Sequence, residues 1–212
     1  MRPGRATFEH CKIVEKREKQ HHKKTNIMLL LFTTLIVIIF LPTSTSFAVD
    51  PQSPVSFVVE FTTDLQHLNP SSLTGTSPGI IVINVTRHSA PRGADRFWAL
   101  LHDHYFDHAA FFRIVPNFVV QFGIAAEPFK TKQWDIKIPD DPVIDSNVAG
   151  SLVYAKAGPN TRTTELFINF KNNFNLDTQG FAPFGRVLQG MDVLQKIYNP
   201  TPHNTGGIEQ RS

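Results

Sequence analysis

From residue 55 onward the apolar positions come in short runs that alternate with polar ones, the period expected of strands packed on one face. "VSFVVEF" (55–61) and "GIIVINVT" (79–86) are rich in β-branched and aromatic residues, and the turn-rich loop "LQHLNPSSLTGTSPG" (65–79) lies between them. In "APRGADRFWALLHDHYF" (90–106) the spacing changes: Phe97, Leu100 and Leu101 form a helical stripe, with Pro91 near the entry. "AFFRIV" and "FVVQFG" are two short strands broken by Pro116–Asn117, a turn signal, and a loop of about 25 residues follows. Further strands are predicted at "SLVYAKA", "ELFINF" and "FGRVL", with a short final helix over Met191–Tyr198. There is no internal repeat. Many short strands with few helices predict a mainly β fold, a closed or nearly closed antiparallel structure.

The front of the chain obeys a different rule. Ile27–Leu41 is a nearly unbroken apolar block, and no charge occurs between Lys24 and Asp50. Two readings fit. Residues 27–48 form a signal anchor, an apolar helix that crosses a bilayer of about 30 Å, with the basic flank 1–26 held on the cytoplasmic side. Alternatively they form a signal peptide cut near Ala48, where Ser46 and Ala48 supply small residues; translation from Met28 would favour that outcome. Either way the domain is expected across a secretory-pathway membrane, tethered by one pass with its C-terminal part lumenal or extracellular, or secreted. Residues 49–54 serve as a linker, 55–198 as the domain and 199–212 as a C-terminal tail.

Charge follows the same division. The first 26 residues hold eight Lys/Arg and three Glu, so of the chain's 21 basic and 18 acidic residues 13 and 15 remain for the rest. A net of −2 there gives no basic face for nucleic acid, and the leader's charges read as topology signals. Cys11 is the single cysteine, which leaves the domain no disulfide and no thiolate metal site. His102, His104 and His108 straddle the end of a helix and its loop and read as solvent-facing, not as metal ligands. Asn84-Val85-Thr86 is an N-glycosylation sequon, although it falls in a predicted strand.

Within "AAFFRIVPNFVVQFG" (109–123), Arg113 and Gln121 interrupt a segment that otherwise reads as core. Taken alone, Arg113 suits a rim arginine paired with a carboxylate, Gln121 an edge polar residue, and Phe118 and Phe167 core. Three blocks together support another reading. "FFRIVPNFVVQFG" (111–123), "AGPNTRTTELFIN" (157–169) and "LDTQGFAPFGRVLQGMDVLQKI" (176–197) resemble the corresponding blocks of cyclophilin-type peptidyl-prolyl cis-trans isomerases, and with "APRGADRFWALL" the likeness runs from Val55 to about Tyr198.

The resemblance implies an eight-stranded antiparallel barrel capped by two helices, and catalysis of X–Pro isomerisation in the folding of proline-containing polypeptide clients, without metal or cofactor. It implies Arg113, Phe118 and Gln121 as the catalytic set. Phe167 and Leu176 would line the proline pocket and Ala155 the groove floor, with Lys156, Glu165 and Phe181 as further groove residues. Several positions depart from the commonest pattern: Phe112, Lys156, Glu165 and Phe181 replace frequent histidine, asparagine, glutamine and histidine, and no tryptophan stands near Phe174–Asn175. The missing tryptophan implies weak cyclosporin binding. Glu165 is a candidate ion-pair partner for Arg113 that would compete with substrate. Family members also close the barrel with a strand after the last helix, whereas "NPTPHNTGGIEQRS" is rich in turn residues. The closing strand is therefore expected to be missing, leaving "VSFVVEF" as an open edge. That expectation keeps a second reading in play: a catalytically weak or inactive module that grips proline segments, or a truncated isoform.

Overall fold

The computed structural model describes residues 6–14, 50–64 and 79–197. Eight strands form one antiparallel sheet: β1 (Phe8–Val14), β2 (Ser56–Thr63), β3 (Ile80–Thr86), β4 (Arg113–Val115), β5 (Val119–Phe122), β6 (Ser151–Tyr154), β7 (Leu166–Asn169) and β8 (Pro183–Gln189). Their spatial order is β1-β2-β3-β8-β6-β7-β5-β4. Among the described residues four helices accompany them: α1 (Pro91–His102), α2 (Pro128–Gln133), α3 (Asn175–Thr178) and α4 (Met191–Gln195).

Alternation builds the inside. In β3 every second residue, Ile81, Ile83 and Val85, is buried, and Phe57, Val59 and Phe61 of β2 join them in the main core. The stripe of α1 buries Phe97, Leu100 and Leu101 on this core, with the Phe97 ring 5.5 Å from Phe184 and 5.4 Å from Phe106. Ala90 gives α1 no side-chain cap; the Asp141 carboxylate instead accepts from the backbone N–H groups of Arg92 (3.1 Å) and Gly93 (2.9 Å). That placement satisfies orphan donors and sets a negative charge at the positive end of the helix. Arg162 bonds the same carboxylate at 3.0 Å, which ties α1 to the loop before β7.

Two expectations are corrected. The segment after β5 is not all loop, since it contains α2; none of that helix's residues is buried, so it had no apolar stripe to reveal it. The larger correction concerns closure. The edge of β2 is not open: β1 pairs with it antiparallel from Phe8↔Thr63 to Val14↔Val58. Residues placed in a basic tail therefore supply a strand. Phe8 donates to the Ala109 carbonyl at 3.0 Å, and Phe111 to Ala6 at 3.1 Å, so residues around the start of β1 join the segment leading into β4, the other edge of the sheet. The curled sheet is thereby seamed at one end, with Phe8 only 1% exposed. The apolar helix expected at 27–48 and the tail 199–212 lie outside the described residues. Among the described residues no helix is long and apolar enough to cross a membrane.

Several carboxylates are held ionised by the fold. Burial acts on Asp95, Asp140 and Asp177 in the upward direction. It is outweighed by hydrogen bonds from Arg87 and Ser53, from Lys156 and Asn160, and from Asn147 and Ser146, so all three pKa values lie below the usual carboxylate range. A depressed folded pKa contributes stability above the unfolded value, about 3.9, and that contribution is lost as pH falls through the folded value. The urea midpoint is therefore expected to hold near neutrality and drop below about pH 4. Asp95→Asn, which removes the negative charge and one of the two oxygens that accept the 2.8 Å Arg87 bonds, should lower the midpoint at pH 7 and flatten the acid limb.

Candidate functional site

The outward face of β4, β5, β7 and β6 carries the candidate residues, because the strand register lines them up. Arg113 lies opposite Gln121, Gln121 opposite Phe167, and Phe167 opposite Val153. Directly opposed residues share a face, and their in-between neighbours Ile114, Val120, Phe122, Leu166, Ile168 and Leu152 point into the main core. A second apolar cluster forms on this outer face from Val119, Val153, Phe167 and Leu176, with Phe118, Ala155 and Phe181 packed against it. The Phe167 and Phe181 rings meet edge-on at 5.7 Å. Phe118, Ala155, Phe167, Leu176 and Phe181, singled out from separate stretches of sequence, thus come together in one place.

Arg113 is exposed at the border of this cluster, and its Nη1 donates to Gln121 Oε1 at 3.3 Å. Gln121 Nε2 in turn donates to Glu165 Oε2 at 2.8 Å. The expected ion pair between Arg113 and Glu165 does not form: the carboxylate is engaged by the amide, which stands between the two charges. A guanidinium has five N–H donors, so one weak bond to a neutral amide leaves capacity to spare. Gly123 makes the arrangement possible. At φ 106° it lets the Thr164–Glu165 backbone pass so close that a Cβ would meet Glu165 Cα at 2.9 Å.

Lys156 does not offer a free charge. Its Nζ pairs with Asp140 at 3.0 Å and lies 5.4 Å from the centre of the Phe181 ring, and its side chain is 10% exposed. Its geometry is that of a prop for Phe181. Asn84 is half-buried in β3, accepting from Ser56 Oγ at 3.2 Å and donating to Thr86 Oγ1 at 3.3 Å. The histidines diverge: His102 bonds the Trp98 carbonyl at 2.9 Å, while His104 lies 3.3 Å from Asp107. Among the described residues no group of three or more His, Cys, Asp or Glu converges on a common point.

Sequence reasoning missed the frame of this site. Asn147, Asn169 and Asn173 are buried and bonded into one polar network. Asn173 Nδ2 donates to the Phe118 carbonyl (3.1 Å) and Asn169 Oδ1 (2.7 Å). Asn169 Nδ2 donates to Asn147 Oδ1 at 3.1 Å, and Asn147 Nδ2 to Asp177 Oδ1 (2.7 Å) and the Phe181 carbonyl (2.8 Å). The loops bearing Phe118, Leu176 and Phe181 are thus fixed to one another through amides. The recurrence of Asn169, Asn173 and Asp177 every four residues was the available signal.

Comparison with known proteins agrees with this geometry. Residues 72–211 match the family model described as cyclophilin type peptidyl-prolyl cis-trans isomerase/CLD, a span that begins after β1 and β2. A peptidyl-prolyl cis-trans isomerase of Acinetobacter baylyi is 32% identical over 141 residues, covering 64% of this chain and 74% of that protein. One from Schizosaccharomyces pombe is 33% identical over 129 residues, 58% of this chain and 81% of that protein. Among solved structures, a Cryptosporidium parvum cyclophilin-type isomerase aligns with TM-score 0.50 at 22% identity, over 60% of this chain and 82% of that one. That protein was also solved in the presence of the dipeptide Ala-Pro.

The amide network makes a direct prediction. Asn173→Ala strands the buried Asn169 Oδ1 and removes one of the two donors to the Phe118 carbonyl, and should destabilise the fold by about 1–3 kcal/mol in urea unfolding. Lys171→Ala, on the exposed surface two residues away, should stay within about 0.5 kcal/mol of the parent.

Proposed function

The chain belongs to the cyclophilin-type peptidyl-prolyl cis-trans isomerase family and isomerises X–Pro bonds, and we propose that Arg113 is the group that stabilises the twisted imide. Rotation about an X–Pro bond forfeits amide resonance, a barrier of about 18–20 kcal/mol, and takes roughly 10–100 s unaided. No covalent bond breaks, so the reaction asks for no nucleophile and no proton transfer. Halfway round, the nitrogen is pyramidal and its lone pair is localised, able to accept a hydrogen bond it could not accept when planar. A guanidinium aimed at that nitrogen therefore binds the transition state better than either ground state, and that difference is catalysis.

One observation carries this reading: Arg113 sits at the rim of the apolar cluster, held by a neutral amide and with no carboxylate partner among the described residues. The proline ring would seat on Phe118, Phe167 and Leu176, fixing the imide so that rotation carries its nitrogen toward the guanidinium. Ala155 would leave room along the groove for the peptide backbone. Gln121 would steer Arg113 and offer its second amide N–H to a substrate carbonyl, with Glu165 fixing which way the amide faces. Lys156 and Phe181 would shape the groove wall. The reading as an inactive proline-segment binder drew on an unclosed barrel and on the altered groove positions; β1 occupies the edge in question, and the altered positions leave Arg113, Phe118 and Gln121 in place. Weak cyclosporin binding is part of the proposal, because Phe174 and Asn175 bring no indole N–H to the groove border.

With a short Ala-Pro peptide, Arg113→Ala should cut kcat/KM by on the order of a hundredfold, the loss typical of removing one donor to a developing lone pair or charge. His104→Ala, exposed and remote from the cluster, should leave it unchanged. Peptide binding that survives with no catalysis in the parent protein would replace the enzyme by the binding module.

A further inference from the structure

The strand that seams the barrel and the leader that reads as a membrane signal are joined in a way that makes their two roles exclusive. The seating of β1 is extensive. Phe8 packs its ring 4.6 Å from Phe111, 4.7 Å from Phe61 and 5.2 Å from Phe122, inside the main core. Thr7 donates its backbone N–H (2.9 Å) and hydroxyl (3.0 Å) to the Asp64 carboxylate, and Asp64 N–H returns a bond to the Thr7 carbonyl at 3.1 Å. Lys12 pairs with Glu60 at 2.7 Å across the two strands. On the far side, His108 donates to the Phe8 carbonyl at 2.8 Å. Residues 6–14 are therefore bonded to both edges of the sheet, which would otherwise stand open.

Paired strands lie about 4.8 Å apart. Val14 and Val58 are such a pair, so residues 6–14, 50–64 and 79–197 occupy the same side of any membrane the chain meets. The apolar block 27–41 lies between them in sequence. One crossing by that block would put its two ends on opposite faces of the bilayer, and a cut near Ala48 would sever β1 from the domain. From this we infer that the seated β1 is a docked strand competing with the membrane fate of the leader: the chain with a seamed barrel is the uninserted, uncut form, and insertion strips the strand from β2. Insertion empties the β2 edge and the pocket lined by Phe61, Phe111 and Phe122 of the strand and the Phe8 ring that fill them. The occupant in the closed form is this chain's own Ala6–Val14 segment.

Cys11 reports the state of the strand. It is the only cysteine in the chain, it lies in β1, and it is buried, which raises its thiol pKa and suppresses the thiolate. Full-length protein made with and without microsomal membranes is treated with a bulky maleimide, and labelling is scored separately in the carbonate-resistant and membrane-free fractions. Membrane-free, isomerase-active protein should label at least about a hundredfold more slowly than the urea-unfolded chain, as expected of a site reached only by local opening. Molecules anchored in the bilayer should label at the unfolded rate without detergent. A chain that stays out of the carbonate-resistant fraction even as Phe8→Asp has no membrane fate for β1 to compete with and would overturn the inference. Carbonate-resistant molecules with Cys11 still protected would overturn the inference, and so would membrane-free, active protein that labels at the unfolded rate. Phe8→Asp should speed labelling in the membrane-free protein; the comparison of wild-type fractions stands if that variant does not fold.

Discussion

A slip of one residue by β5 against β7 would turn Gln121 inward and set Phe122 in water. Side-chain direction in a sheet has a strict period of two, so register decides what is core and what is site. In this molecule the penalty for a slip is large on the inner face, where Phe122 meets Phe8, Phe61, Phe106 and Phe111. The aromatic core therefore enforces the register, and the register delivers Arg113, Gln121, Phe167 and Val153 to the outer face as one row. The site is the reverse side of the packing that stabilises the barrel.

The buried amides complete what register begins. Strand pairing fixes Gln121 and Phe167 but has no hold on Phe118, Leu176 and Phe181, which lie on turns and a one-turn helix. Amides suit this task because each can donate and accept at once, so Asn147, Asn169 and Asn173 satisfy one another and still reach the carbonyls of Phe118 and Phe181. Such a network is costly if half-made and rigid if complete. The pocket walls are held by polar bonds, while the floor is held by apolar contact.

Most strands were legible because their alternation is local. β3 was legible as a run of β-branched residues, whose burial alternates without a break, and α1 declared itself by Phe97, Leu100 and Leu101. The site residues were legible only as a set, through three spaced blocks; Arg113 alone suited an ordinary rim arginine. The closing strand escaped for a physical reason. "FEHCKIV" carries charges and a histidine, its register shifts between Phe8 and His10, and its partner lies beyond the apolar leader. Nothing local says that Phe8 belongs in a pocket made by Phe61, Phe111 and Phe122. The asparagine network was hidden in the same way, since Asn147 meets Asp177 across a 30-residue gap in sequence.

The placement of charge around Arg113 follows from what the reaction needs. A carboxylate in direct contact would hold the guanidinium firmly but would take two of its donors in a bidentate pair and lower its attraction for a lone pair. No partner at all would leave a long side chain free to sample many rotamers, at a cost in ordering when substrate binds. The chain takes a course between these: Glu165 bonds the Gln121 amide, and the amide carbonyl, polarised by that bond, accepts from Arg113 at 3.3 Å. Orientation reaches the guanidinium through a neutral group, and most of its donors stay uncommitted. Gly123 is indispensable to this relay, because only a residue without a Cβ lets the Glu165 backbone come near enough for its carboxylate to meet Gln121.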